Sequence, residues 1–394
     1  MSRLSQSLTS LFSKKERFVV LEIFSDYLRI TYGFFDPRAK QLVVTKIFKA
    51  RINGLAEIGA YLKKIRIPRK SNIILALGSA FATTLYSSSV LIREKYSELI
   101  DEPDLDNLVS QAIWKFFDRH RNQIAQKMQT SDLDVILTDV RIRGIKLDSH
   151  KVVNPLGFKA RSVEVSFSQT FLTREFTQFL KQALPINQIV FVTEAGSSWS
   201  HALSSVSPKS AFLLGNVLHR ETELFISDGR SHGSHDTIQW GLDVLPEHLS
   251  DRLAVEGGVA REIITRYLNG KTSILFRRRL ETIILEAMHN LLRGFDLALE
   301  RTGTSVLYVY SYSDLPPLIF TSHFRNRFKH SVNLYPVVPS SIGENFGFRI
   351  SFKEQGDTHA AFPVLSYFLD WRLGSVHSKL EQIAKRRVRW LSPL

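Results

Sequence analysis

The chain has 394 residues, 44% hydrophobic and 23% charged, which suits a folded protein with two or three cores and excludes disorder over the whole length. Lys and Arg number 52 against 38 Asp and Glu; the net charge of +14 is read either as attraction to an anionic partner or as plain solubility. The absence of cysteine excludes disulfides, thiol catalysis and cysteine-based zinc sites. No run approaches the roughly 20 apolar residues that span a bilayer, and Met1–Arg17 lacks the continuous apolar core of a secretory signal.

Met1–Ser13 places Leu4, Leu8, Leu11 and Phe12 on one helical face, followed by Lys14, Lys15 and Arg17. An apolar face beside cations suits an interfacial membrane helix; a helix docked on its own domain gives the same pattern. Phe18–Ile30 and Gln41–Ala50 read as strands joined by the turn Asp36-Pro37-Arg38. Leu55–Arg66 has helical spacing up to Pro68, and Asn72–Leu77 is a short buried-type strand. Asp104–Gln126 is helical, with Asp104 as its expected cap. Two strands, Leu133–Thr138 and Val140–Leu147, precede the turn Asn154–Phe158, where Pro155 fixes φ and Gly157 is free to take a positive one. Ala160–Phe171 alternates as a half-buried strand, Thr173–Leu184 is a helix closed by Pro185, and Gln188–Thr193 is a strand. Ala195–Leu203 reads as loop running into helix.

A second strand-rich block follows the break Ser204–Ser210: Ala211–Leu214, Glu223–Ser227 and Thr237–Trp240, with a turn at Asp228-Gly229. Helical spacing covers Val244–Ala254, Val259–Tyr267 and one long segment, Ile274–Leu299, before the strand Ser305–Tyr310. Two α/β halves, each with strands first, imply a duplication. At the C-terminus, Leu380, Ile383, Val388 and Leu391 share a stripe flanked by Lys385, Arg386, Arg387 and Arg389, with Trp390 near the end. Cations attract anionic lipid and tryptophan suits the headgroup level, so these residues are expected to bind a membrane. The alternative is a helix packed on the core.

These strands, the Asn154-Pro155-Leu156-Gly157 turn, the segment Val190–Ser198 and the basic tail together resemble the FtsA/PilM group of the actin-like ATPase superfamily, the cell division protein FtsA more closely than the pilus assembly protein PilM. The resemblance implies a two-lobed α/β, actin-like (ribonuclease H-like) fold with a small β-rich α+β subdomain inserted in the first lobe. It divides the chain into an N-terminal segment 1–17, a first lobe 18–77 plus 186–205, the insertion 78–185, a second lobe 206–375 and a C-terminal helix 376–394. It also implies a peripheral protein on the inner membrane face, a cell-division scaffold joining that membrane to a cytoskeletal partner or, alternatively, a PilM-like component of a type IV pilus or secretion assembly that binds a peptide of a membrane protein, with self-assembly left open.

The resemblance places three phosphate-binding turns where this chain departs from the family pattern. Glu22 and Phe24 stand for the family's Asp and Gly in the first, beside Ser25. In the second, Asn216 stands for an Asp and Leu218, His219 and Arg220 for glycines, while Thr222 and Glu223 sit where Thr and Asp would. Tyr310 and Ser311 replace a glycine pair in the third. Bulky side chains where backbone must approach phosphate argue against ordinary Mg-ATP hydrolysis. The expectation is a scaffold without a cofactor, with weak metal-free nucleotide contact through His219 or Arg220 and an active ATPase with atypical loops as alternatives. His232 and His235 have zinc-like spacing without further ligands. Arg277-Arg278-Arg279 could contact phosphates but reads first as a solvated helix face, and no nucleic-acid motif accompanies it.

Overall fold

The computed structural model describes residues 15–36, 38–206, 211–227, 232–337, 344, 349–353, 362–371, 380, 383, 384, 386 and 388, with backbone alone at 186, 205, 206, 232, 234, 235, 362 and 368–371. The N-terminal stripe Leu4, Leu8, Leu11 and Phe12 lies outside them, as do Lys385, Arg387, Arg389, Trp390 and Leu391 of the tail. The chain divides into two compact units, Met1–Val206 with Pro339–Leu394, and Ser207–Val338.

In the first unit, β1 (Glu16–Ile23), β2 (Tyr27–Asp36) and β3 (Gln41–Arg51) form an antiparallel meander. The single strand expected over 18–30 is two: the chain reverses at Phe24–Asp26, where the Phe24 N–H donates to the Tyr27 carbonyl at 2.8 Å. That turn has no Gly or Pro, and its Ser25-Asp26 pair is a weak turn signal inside a run of strand-forming residues. The helix α1 (Leu55–Lys64) leads to β4 (Asn72–Leu77), which joins β1 in parallel. β1 therefore lies inside the sheet, and its last six residues are all buried, as expected for a strand covered on both faces.

The insertion follows: β5 (Ala82–Ile92), α2 (Glu102–Lys127), β6 (Val135–Leu147), β7 (His150–Val152) and β8 (Ser162–Thr173), in an antiparallel sheet of order β5-β8-β6-β7. The cap of α2 is Asp101, whose carboxylate accepts the Asp104 N–H at 2.8 Å; Asp104 instead binds Arg93. β6 is one strand where two were expected. Register slips at Leu137/Asp139 and Ile142/Gly144 shift its alternation, and the first falls where the sequence pattern broke. The turn after β7 is as expected: the Asn154 side chain accepts the Leu156 N–H at 3.2 Å, and Gly157 takes φ +79°. One face of the sheet, carrying Val163, Val165 and Phe167, buries against Val109, Ile113 and Phe116 of α2.

The chain returns through α3 (Arg174–Ala183), capped by Thr173, to β9 (Ile189–Glu194), parallel to β4, and passes without a loop into α4 (Ala195–Val206). The second unit holds β10 (Phe212–Val217), β11 (Thr222–Ser227), β12 (His232–Ile238), then α5 (Val244–Leu253), α6 (Gly257–Leu268), α7 (Ile274–Ala287) and α8 (His289–Thr302), then β13 (Val306–Ser311), α9 (Ser322–Arg325) and β14 (Asn333–Pro336). The expected long helix 274–299 is broken between α7 and α8 at Met288. There the buried Trp240 indole donates to the Ala287 carbonyl at 2.7 Å, taking an acceptor that a continuous helix would use itself.

Both units repeat one topology. The orders β3-β2-β1-β4-β9 and β12-β11-β10-β13-β14 each comprise an antiparallel meander followed by two parallel strands. The second unit ends at Val338, not at 375. β15 (Arg349–Phe352) adds to the edge of the first unit's sheet, parallel to β3, and α10 (Phe362–Trp371) packs on α4 and β4. Likewise β1 starts at Glu16, inside the segment 1–17 that was expected to precede the lobe. Among the described residues no helix is long and apolar enough to cross a membrane.

Candidate functional site

The residues singled out from the sequence gather, within each unit, at the C-terminal ends of the parallel strands. In the first unit Ile23, Leu77 and Glu194 lie side by side in register. Glu22, one residue back, pairs across the hairpin with Arg29. Both side chains are fully buried, and the contact is bidentate: the Arg29 Nε donates to one carboxylate oxygen and its Nη2 to the other at 2.7 Å. Sequence reasoning missed Arg29. The hairpin register that pairs it with Glu22 was hidden because the turn at 24–26 went unrecognised. Phe24 is fully buried against Gly78, where an added Cβ would lie 2.7 Å from the ring. Ser25 faces solvent.

Glu194 was also missed. Its carboxylate is fully buried and accepts the Thr84 N–H at 2.9 Å, the Ser197 hydroxyl at 3.0 Å and the Lys127 ammonium at 3.2 Å. An acid directly before a helix start was the available signal.

The second unit repeats the arrangement. Asn216 pairs across its hairpin with Glu223, and the Asn216 Nδ2 donates to the carboxylate at 2.8 Å, both buried. Thr222 donates to the Trp240 carbonyl at 2.8 Å. In the turn, the Leu218 N–H donates to Glu221, while the Leu218 and His219 carbonyls accept the Leu242 and Asp243 N–H groups at 3.0 and 2.8 Å. The approach is tight: a Cβ on Gly241 would lie 2.3 Å from the His219 carbonyl oxygen. The His219 imidazole lies 3.7 Å from the Asp243 carboxylate and 3.5 Å from the Ser313 hydroxyl. Arg220 points to solvent. The Ser311 hydroxyl donates to the Val217 carbonyl at 2.8 Å, and the Tyr310 ring packs edge-on to Tyr312. Among the described residues no cluster of His, Asp and Glu could hold a metal ion; the side chains of His232 and His235 lie outside them.

The tail is placed differently from the membrane expectation. Leu380, Ile383, Ala384 and Val388 are buried in the core beneath the inserted sheet, with Leu105, Val109 and Ile142. Arg386 donates to Asp106 of α2 at 3.2 Å. The described part of the apolar stripe is spent on the protein's own core, because an amphipathic face can be covered by α2 as well as by lipid.

A tightly filled polar pocket in the first unit had no sequence signal. It is lined by Thr84, Tyr86, Arg141, Arg143, Ser168 and Phe191, on the face of the inserted sheet opposite α2. Arg141 lies 4.0 Å over the Phe191 ring and pairs with Asp139 at 2.8 Å; Asp139 also accepts the Val192 N–H. Arg143 lies 4.8 Å over Tyr86 and within 2.8 Å of His201.

No family model and no curated protein matches the sequence. A solved structure of the PilM–PilN type IV pilus biogenesis complex matches at TM-score 0.56 and 16% identity, covering 91% of this chain and 98% of that one. The fold is actin-like. Other matches include the ethanolamine utilization protein EutJ from Carboxydothermus hydrogenoformans (TM-score 0.39, 8% identity, covering 93% of this chain and 98% of that one) and MreB 5 of Spiroplasma citri bound to AMPPNP (TM-score 0.38, 10% identity, 84% and 95%).

Proposed function

We propose that this chain is an actin-like scaffold that holds a protein partner in a membrane-associated assembly and does not hydrolyse ATP. The buried Glu22–Arg29 pair carries the reading. A magnesium triphosphate site needs a carboxylate open to the metal's water shell and bare backbone near phosphate. Here the carboxylate is neutralised by a fully buried guanidinium, and Phe24 fills the space beside Gly78. In the second unit Glu223 is likewise engaged by Asn216. These side chains do not fit the nucleotide, so no catalytic step is assigned to it. Calorimetry of the purified protein with Mg-ATP should show no binding; micromolar affinity would overturn the reading.

Pilus or secretion machinery is favoured over cell division as the assembly. The PilM–PilN complex shares the fold over most of both chains, and the tail that would anchor a division scaffold is spent on the core. On that reading the partner would be a short peptide of a membrane protein; the arginine-lined pocket between Tyr86 and Phe191 is too tightly filled to seat it, because Arg141 is buried on Asp139 and Phe191. Photo-crosslinking residues at exposed positions of both units should yield an adduct with a membrane protein in intact cells, and the absence of any adduct would count against the peptide.

A further inference from the structure

The surface of the second unit carries a cationic and apolar tip that the strand-end residues do not explain. From Ile263 to Leu280 the sequence has five cations and no acid. Two of the five, Arg266 and Arg277, are spent on the flanking acids Glu262 and Glu281. Lys271, Arg278 and Arg279 are exposed and make no ion pair among the described residues. Between them, in the first turn of α7, Ile274 and Leu275 are 74% and 79% exposed, among the most exposed large apolar side chains of the protein. Helical spacing sets Ile274 beside Arg278, and Leu275 beside Arg278 and Arg279. The turn at Gly270, φ +68°, ends α6 and leads into this exposed corner.

We infer that this corner is an anionic lipid-binding tip, inserting Ile274 and Leu275 among acyl chains while Lys271, Arg278 and Arg279 meet the headgroups. Charge complementarity selects an anionic partner. The paired apolar side chains select the bilayer: a polyanion would neutralise the cations and leave two large side chains in water, whereas the lipid interface takes both. The tip would do what the sequence assigned to the C-terminal stripe. It rests on the proposed membrane association for where the protein acts, not on the nucleotide argument.

Flotation of the full chain with phosphatidylcholine vesicles, with and without about one third phosphatidylglycerol, tests it. Binding should require the anionic lipid and fall with salt. Arg278→Ala with Arg279→Ala should weaken it about twenty-five-fold, fivefold per cation, and Ile274→Ser with Leu275→Ser by at least about tenfold. All four side chains are exposed, so each variant should keep the wild-type melting temperature. If the wild-type chain binds no anionic vesicle, both the tip and peripheral association fall. If it binds and both variants bind equally well, the tip alone falls. Loss in the arginine variant with none in the serine variant would mean adsorption to any polyanion and would also overturn the inserted tip.

Discussion

Arg29→Met should show how strongly the buried pair at the end of β1 is committed. Arg29 and Glu22 are fully buried and joined by two charge-assisted bonds. Removing one partner strands a carboxylate with no water to replace the guanidinium, which costs about 3–5 kcal/mol. Removing both with apolar residues of similar volume is close to neutral or stabilising, since neither charge then needs desolvating. Glu22→Leu with Arg29→Met should therefore recover most of what Arg29→Met loses. Hydrogen exchange over 16–36 reads this locally, without assuming that two units unfold together. The single variant should raise exchange by about two to four orders of magnitude and the double variant far less. A single variant costing under about 1 kcal/mol, or a double variant no better than the single, would mean that Glu22 keeps another neutralising route, and the case against a metal-ready carboxylate would fail.

Leu380→Ala should destabilise the inserted subdomain by about 2–4 kcal/mol, seen as faster exchange in α2, because its side chain lies in that core; unchanged α2 would mean the tail helix is not docked in solution. Gly241→Ala should cost about 1–3 kcal/mol or more, since its Cβ meets backbone at 2.3 Å and the His219 turn must shift; a wild-type melting curve for the second unit would contradict the close approach. The Ser162 and Arg161 N–H groups hold the Asp148 carboxyl below the usual carboxylate range, so the link it makes to the start of β8 persists above that range and loosens as pH falls through the depressed value. A carboxyl-carbon titration giving an ordinary midpoint would refute this. Asn216→Asp would set two buried carboxylates face to face, and the second unit should lose stability at neutral pH and recover it on acidification or with Mg²⁺; a pH-independent melting temperature would show that water already reaches the rung.

The sequence revealed the elements where one physical signal dominated. β4 is bounded as read, and α3 ends at the Pro185 break, because a short apolar run and a helix-closing proline have no competing reading. Signals that depend on partners stayed hidden. The turn at Phe24–Asp26 carries only the weak signal of Ser25-Asp26, without Gly or Pro, and Phe24 packs against Gly78. The break at Met288 comes from an indole 47 positions away in the chain. Arg29, Glu194 and Arg141 become notable only when strand register brings their partners alongside, and register is a tertiary property. The tail misled for a related reason: an amphipathic stripe records that one face is apolar, not what covers it.

The two hairpins share more than topology. Glu22–Arg29 and Asn216–Glu223 occupy the same rung, the last but one before the turn, in units that repeat the same strand order. A polar rung in that place is costly to bury unless its hydrogen-bonding capacity is met. A nucleotide-binding protein meets it with metal, water and phosphate. This chain fills the rung by different chemistry in each half, guanidinium on carboxylate in one and amide on carboxylate in the other, and the second leaves the buried Asn216 Oδ1 without a partner among the described residues. Two unlike closures of equivalent rungs are hard to derive from one structural requirement of the fold. They fit the proposed loss of a nucleotide that would otherwise hold the rung open, and on that proposal binding falls to exposed surface such as the cationic corner of α7.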